Sequence, residues 1–224
     1  MPENQPKLVT GGVRGAVFLN KPHHHSSLTE RKSLLGFALD RSGSMSPLAA
    51  VALQSLNQLV DQQKTLSGDS CFTLTLFNND VSLIHDAVAL RDVPPLLPAQ
   101  YEPSGGTALN DAVVHLIHSL GRHAQGRNTA VLAVILTDGM ENGSRHSQED
   151  VRQMVTYRRL THGWQFLFLG PESALSYALS IGISKVNTAS FETTPEGLRF
   201  MLKRLSRSMA AYALGDRQFM FKLK

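Results

Sequence analysis

The sequence predicts an α/β fold built on a doubly wound, mainly parallel sheet with helices on both faces. Three observations carry that expectation. Short apolar runs alternate with helix-period segments along the whole chain. The apolar runs are continuous rather than strictly alternating, as expected of strands buried on both faces. Polar, hydroxyl-rich clusters follow two of those runs directly, where α/β sheets place their ligands.

The elements follow in order. Residues 1–32 are rich in Pro, Gly, Ser and His and read as an arm; their one strand-like run, Val13–Leu19, would form an added edge strand, a hairpin or an ordered tail. Ser33–Leu39 (SLLGFAL), closed by Asp40, is a buried strand. Pro47–Gln63 has apolar residues at helical spacing, with Ser46 as N-cap and Pro47 at the first helical position. Ser70–Phe77 and Val81–Leu90, joined by Asn78-Asn79-Asp80, read as a hairpin and supply one antiparallel edge strand. Pro94, Pro95, Pro98 and Pro103 mark a loop running to Gly105-Gly106. Thr107–Gly121 is a helix with Val113, Val114, Ile117 and Leu120 on one face.

Thr129–Leu136 (TAVLAVIL) is the most apolar segment and the expected central strand. A polar loop leads to a helix over Ser147–Arg159, a strand over Trp164–Leu169, a short helix, a short strand at Ile183–Asn187 and a final helix over Pro195–Ala213. No internal repeat or linker splits this body. The expected organisation is an arm over 1–32, one domain over 33–213 and a tail over 214–224.

Composition narrows the function. The 224 residues are 42% hydrophobic and 18% charged, which fits a chain able to bury a full core. One cysteine excludes an intramolecular disulfide framework and a thiolate zinc cage; Cys71, in an apolar strand, reads as inert core. No run approaches the ~20 apolar residues of a membrane span, and the N-terminus lacks the apolar centre of a secretory signal, so the expected setting is cytoplasmic, away from membranes. The formal charge of +4 hides a division. Residues 1–151 hold 11 basic and 14 acidic side chains, a net of −3, whereas residues 152–224 hold 11 and 4, a net of +7.

Three polar clusters fall at strand ends or nearby loops: Asp40-Arg41-Ser42-Gly43-Ser44, Gly105-Gly106-Thr107 and Thr137-Asp138-Gly139. Asp40, Ser42, Ser44, Thr107 and Asp138 within them offer oxygen only, two carboxylates and three hydroxyls, and oxygen donors suit hard divalent cations such as Mg2+. Gly43 lets the chain turn so that Ser42 and Ser44 point the same way. A cation held by so few carboxylates stays electron-poor and welcomes a carboxylate from another molecule.

Asp40-x-Ser42-x-Ser44, Thr107 and Asp138 together resemble the metal-ion-dependent adhesion site (MIDAS) of von Willebrand factor A domains, and the resemblance covers about residues 33–212. It implies a six-stranded sheet of that family's strand order. It implies direct or near-direct coordination by Ser42, Ser44 and Thr107, with Asp40 and Asp138 acting largely through water. It further implies Mg2+, with Mn2+ or Ca2+ as alternatives, and a protein partner that presents Asp or Glu. GGTALNDAV, TDGMEN and GWQFLFLG look like the stand-alone bacterial and phage members, some associated with tellurite resistance and stress response, others with AAA+ ATPases of the chelatase type.

Enzyme motifs are missing: no GxxxxGK[ST], GxGxxG or HExxH, no G-x-S-x-G elbow, and Ser42 stands where an aspartyl-phosphate transferase wants its second carboxylate. The expected protein is therefore a binding module and not an enzyme, with a metal-dependent phosphoesterase the weaker reading. Around the site, Asp111 would hold Thr107 or a coordinated water, or stand as an exposed helix acid. Glu141 and Asn142 read as a solvated loop, and Met45 and Met140 as partner contacts or core. His23, His24 and His25 carry incidental affinity for transition metals. The stripe Arg199, Lys203, Arg207 on the last helix reads as a solvated face, with nucleic acid disfavoured.

Overall fold

The computed structural model describes residues 32–65, 69–124 and 129–213. The arm, its strand-like run Val13–Leu19, the histidines at 23–25 and the tail over 214–224 lie outside those residues. The elements are β1 (Ser33–Asp40), α1 (Ala49–Lys64), β2 (Ser70–Phe77), β3 (Val81–Ala89), α2 (Leu109–His123), β4 (Ala130–Leu136), α3 (Gln148–His162), β5 (Gln165–Gly170), α4 (Leu175–Ser180), β6 (Thr188–Ser190) and α5 (Pro195–Ala213).

The six strands form one sheet in the order β3-β2-β1-β4-β5-β6. All neighbours pair parallel except β2 with β3, the hairpin at one edge. The order reverses at β1, which pairs with β2 on one side and β4 on the other. The expected fold class is thus the observed one. The continuous apolar runs have the expected cause, because successive residues of each central strand go to opposite layers. Leu35, Phe37, Leu39, Leu132, Val134 and Leu136 pack with α1 and α5, whereas Leu34, Ala38, Val131, Ala133 and Ile135 pack with α2, α3 and α4. Gly36 lies under α2: a methyl group there would come within 2.7 Å of Leu120 and 3.0 Å of Leu116.

Three boundaries differ from the sequence expectation, each for a local reason. Helix α1 begins at Ala49, after a 3-10 segment over Gly43–Leu48 that contains Pro47. Ser46 is no N-cap; its hydroxyl donates to the Gly43 carbonyl at 2.8 Å. The tighter winding drives Met45 wholly into the core. Helix α2 starts at Leu109 because the amides of Thr107 and Ala108 donate to other loops, to Asn142 Oδ1 and the Asn78 carbonyl. The last strand is at Thr188–Ser190 and not Ile183–Asn187. Gly182, with φ of +87°, and the bond from the Ile183 amide to the Ala178 carbonyl close α4 first, and Lys185–Asn187 makes a 3-10 turn. Helix α3, by contrast, begins as the sequence suggests, with the Ser147 hydroxyl accepting from the Asp150 amide.

One buried group sets a pH response. His85 on β3 is buried beside Phe72, and its Nε2 has no partner. Burial holds its pKa below the ordinary value near 6.5, against the opposing bond to the Pro94 carbonyl. The folded protein therefore takes up a proton at His85 less readily than the unfolded chain, so stability is complete above about pH 6.5 and falls as pH drops below it. In His85→Leu that loss should shrink, by up to about 1.4 kcal/mol per pH unit, in urea unfolding at pH 7 and pH 5. An unchanged slope would remove His85 as the cause.

Candidate metal centre

The reversal of strand order brings the carboxyl ends of β1 and β4 side by side, and the expected residues gather there. Asp40, the last residue of β1, is fully buried. Its Oδ1 accepts from the Ser42 amide at 2.6 Å and its Oδ2 from the Thr137 hydroxyl at 2.5 Å. The same hydroxyl accepts from the Gly139 amide at 3.1 Å. Thr137 thus ties the loop after β4 to the end of β1. From below, the Tyr101 hydroxyl donates to the Asp40 carbonyl at 2.6 Å.

The 3-10 turn after Ser42 sets the serine hydroxyls. Ser42 Oγ and Ser44 Oγ lie 3.1 Å apart, and Ser44 Oγ donates to Asp138 Oδ1 at 2.7 Å. Thr107 enters from the third loop. Its Oγ1 and Ser44 Oγ flank one point above Gly139, 3.5 and 3.7 Å from where a methyl group on that glycine would stand. Ser44 thus links Ser42, Asp138 and the Thr107 side of the site, and Asp40 joins them through the Ser42 amide and Thr137.

The third loop has its own supports. Gly105 has φ of +73°, a conformation suited to glycine, and its carbonyl accepts from the Gly43 amide at 3.0 Å. At Gly106 a side chain would meet both Asn79 Oδ1 and Asn142 Oδ1, at 2.7 and 2.8 Å. Asn79 Oδ1 accepts from the Gly106 amide at 2.6 Å, and Asn142 Oδ1 from the Thr107 amide at 2.8 Å. The Asn142 amide donates back to the Thr107 carbonyl.

Several neighbours act differently from the sequence expectation. Asp111 does not hold Thr107. Its carboxylate accepts from the Arg145 and His146 amides and from the His146 ring, at 2.7–3.1 Å. Burial alone would raise its pKa, yet those donors together hold it below the usual carboxylate range. Glu141 is no solvated loop residue: it accepts from the amides of Asn110, Gly143 and Ser144, so it caps the first turn of α2. Asn142 is exposed but clamps Thr107. Met45 is core, and Met140 alone of the two methionines is exposed. Thr137, Tyr101, Asn79 and the clamping role of Asn142 carry no signal in residue spacing, because each acts across a separation of at least 27 residues.

Electrostatically the position is negative and uncompensated. Burial pushes the Asp40 carboxyl up, against the donors Thr137 and Ser42, and burial likewise raises Asp138 against the Ser44 hydroxyl. Among the described residues neither carboxylate has a basic partner. Arg41, next in sequence, turns away to Ser82 Oγ and the Gln100 carbonyl. Nor do three His, Cys, Asp or Glu side chains converge anywhere among the described residues. Two carboxylates and three hydroxyls with no nitrogen or sulfur form a donor set that fits a hard divalent cation, with water completing its shell.

No protein-family model matches the sequence, and no curated protein matches it. Solved structures do. A mutant of the PilB minor pilin from Streptococcus sanguinis aligns with a TM-score of 0.63 at 13% identity, over 84% of this chain and 64% of that one. Proximal thread matrix protein 1 of the mussel byssus, with a zinc-occupied MIDAS motif, gives 0.58 at 16% identity, over 80% and 46%. A von Willebrand factor type A protein from Catenulispora acidiphila gives 0.56 at 16% identity, over 82% and 43%. This chain spans less than two thirds of the length of each. At such identities the likeness shows the fold, which is that of von Willebrand factor A domains. Among the described residues no helix is long and apolar enough to cross a membrane.

Proposed function

We propose that the chain is a von Willebrand factor A protein with a complete MIDAS, acting as a divalent-cation-dependent protein-binding module and not as an enzyme. One observation carries this reading: a buried and a half-buried carboxylate, neither with a basic partner among the described residues, gather with three hydroxyls at the switch point of the sheet. Asp40, Ser42, Ser44, Thr107 and Asp138 would hold the ion, with Mg2+ the preferred species and Mn2+ or Ca2+ the alternatives. When bound, the ion supplies a Lewis-acidic position for a carboxylate from another molecule.

The chain's own residues do the rest. Thr137 and the Ser42 amide fix the Asp40 carboxylate, Asn142 fixes Thr107, and Ser44 aligns Asp138. The zinc-occupied MIDAS of the mussel relative is a precedent for a metal on this fold. The partner presents an Asp or Glu side chain. In a stress-associated setting, including tellurite resistance, it is another protein of that complex; in a chelatase-type setting it is an AAA+ ATPase, and both settings are cytoplasmic.

The test is calorimetric titration with Mg2+, Mn2+ and Ca2+, followed by affinity capture of partners from the native cell with and without EDTA. One cation per chain is expected, with a partner released by EDTA and not retained by Asp40→Ala. A partner whose affinity ignores both EDTA and Asp40→Ala, with the variant folded, would overturn the reading.

A further inference from the structure

We infer that the outer face of α5 is a second, cation-independent docking surface for an acidic helical segment of another protein. Its inner face is committed. Leu198, Met201, Leu205 and Met209 are buried in the core layer shared with α1. Gln63 of α1 donates to the Ser206 carbonyl and hydroxyl at 2.9 and 3.1 Å. The helix is therefore fixed in rotation, and what it presents outward is preset.

That outward face carries Arg199, Lys203 and Arg207, all exposed. Four-residue spacing lines them along about 12 Å of one helix side. Like charges at this spacing repel, so an isolated domain gains nothing from the arrangement. Other helices of the chain answer such charges locally, with Lys64–Asp61 at 2.8 Å, Arg122–Asp86 at 3.0 Å and Arg152–Glu149 at 2.6 Å. Among the described residues Arg199, Lys203 and Arg207 form no such pair. Arg199 has Glu196 one turn before it without an ion pair, and Arg207 shares a groove with Asp61, which Lys64 already engages.

A hydrophobic contact lies beside that row. Phe200 is 62% exposed, and the Arg204 guanidinium stands 5.5 Å from its ring centre. An exposed aromatic beside cations suits the centre of a protein interface. Acids one helical turn apart on a partner would meet the three cations in register, while an apolar residue between them covers Phe200. A single aromatic already stacked by arginine is a poor platform for successive bases, which favours protein over nucleic acid. The surface also lies within the +7 portion of the chain and the cation position within the −3 portion, so an acidic segment is drawn to α5 without any cation.

The experiment uses the full chain and a labelled, alanine-rich helical peptide of about twenty residues, with glutamate at every fourth position and one leucine between two of them. A scrambled peptide of the same composition and a single-stranded DNA of similar charge serve as comparisons. Affinity should fall with salt, exceed that for the scrambled peptide, and drop at least about tenfold in R199E/K203E/R207E and in R199Q/K203Q/R207Q. It should persist in EDTA, where the cation position cannot take the peptide's carboxylates, which separates its failure from failure of the cation site. Circular dichroism confirms that both triple variants are folded. The inference is overturned by absent binding, by equal binding of the scrambled peptide, or by triple variants that bind as the wild type. Tighter binding of the DNA, or wild-type self-association lost in the triple variants, would assign the face to another occupant.

Discussion

Without added cation, Asp138→Asn should melt at or above the wild-type temperature, and with saturating Mg2+ it should lose the stabilisation that the wild type gains. The sign comes from the setting of the carboxylate. Asp138 is half-buried, its pKa is raised by burial, and among the described residues no basic side chain offsets its charge. An amide of the same shape removes the charge and still accepts from the Ser44 hydroxyl. The wild type answers to a ligand that binds only the folded state: at about one hundred times Kd the gain is ~2.7 kcal/mol. For a domain of this size that is roughly 5–10 °C. Thermal melts in EDTA and in Mg2+, on both proteins, read the two effects separately. A variant that still gains as much as the wild type from Mg2+ would remove Asp138 from the site.

The second large effect lies in the core. Phe37 has no solvent exposure, sits at the middle of β1, one of the two central strands, and meets the Phe72 ring at 5.6 Å. β1 is held on both sides, so the space left by Phe37→Ala cannot close by moving the strand. A loss of about 3–5 kcal/mol is expected, a large part of the ~5–15 kcal/mol that a domain has. The midpoint of urea unfolding should fall accordingly, while Leu160→Ala, at a side chain 74% exposed, should change it by less than about 0.5 kcal/mol. A small effect of Phe37→Ala would mean that the α1–α5 layer repacks.

How far the site was legible follows from how each residue works. Asp40, Ser42, Ser44, Thr107 and Asp138 stand directly after strands or before a helix, and the strand pattern alone places them at one sheet edge. Asp111, Glu141 and Asn142 were visible but misread, because their task is to accept from backbone amides of other loops. A side chain that caps a distant amide has the same sequence appearance as one in water. The face of α5 shows the same limit: Arg199, Lys203 and Arg207 are in the sequence, but that none of them forms an ion pair among the described residues is a property of the packed helix.

What the sequence determined by itself is therefore the layered sheet, the hairpin edge and the oxygen-only character of the site. Those rest on hydrophobic period and residue type, which act over a few neighbours. Only the tertiary structure decided that α1 is preceded by a 3-10 turn and that β6 waits until Thr188. It also decided that Thr137 joins the two halves of the site through Asp40. Those outcomes depend on which distant amide or carboxylate is still free to bond once the sheet has closed, and spacing along the chain does not encode that competition.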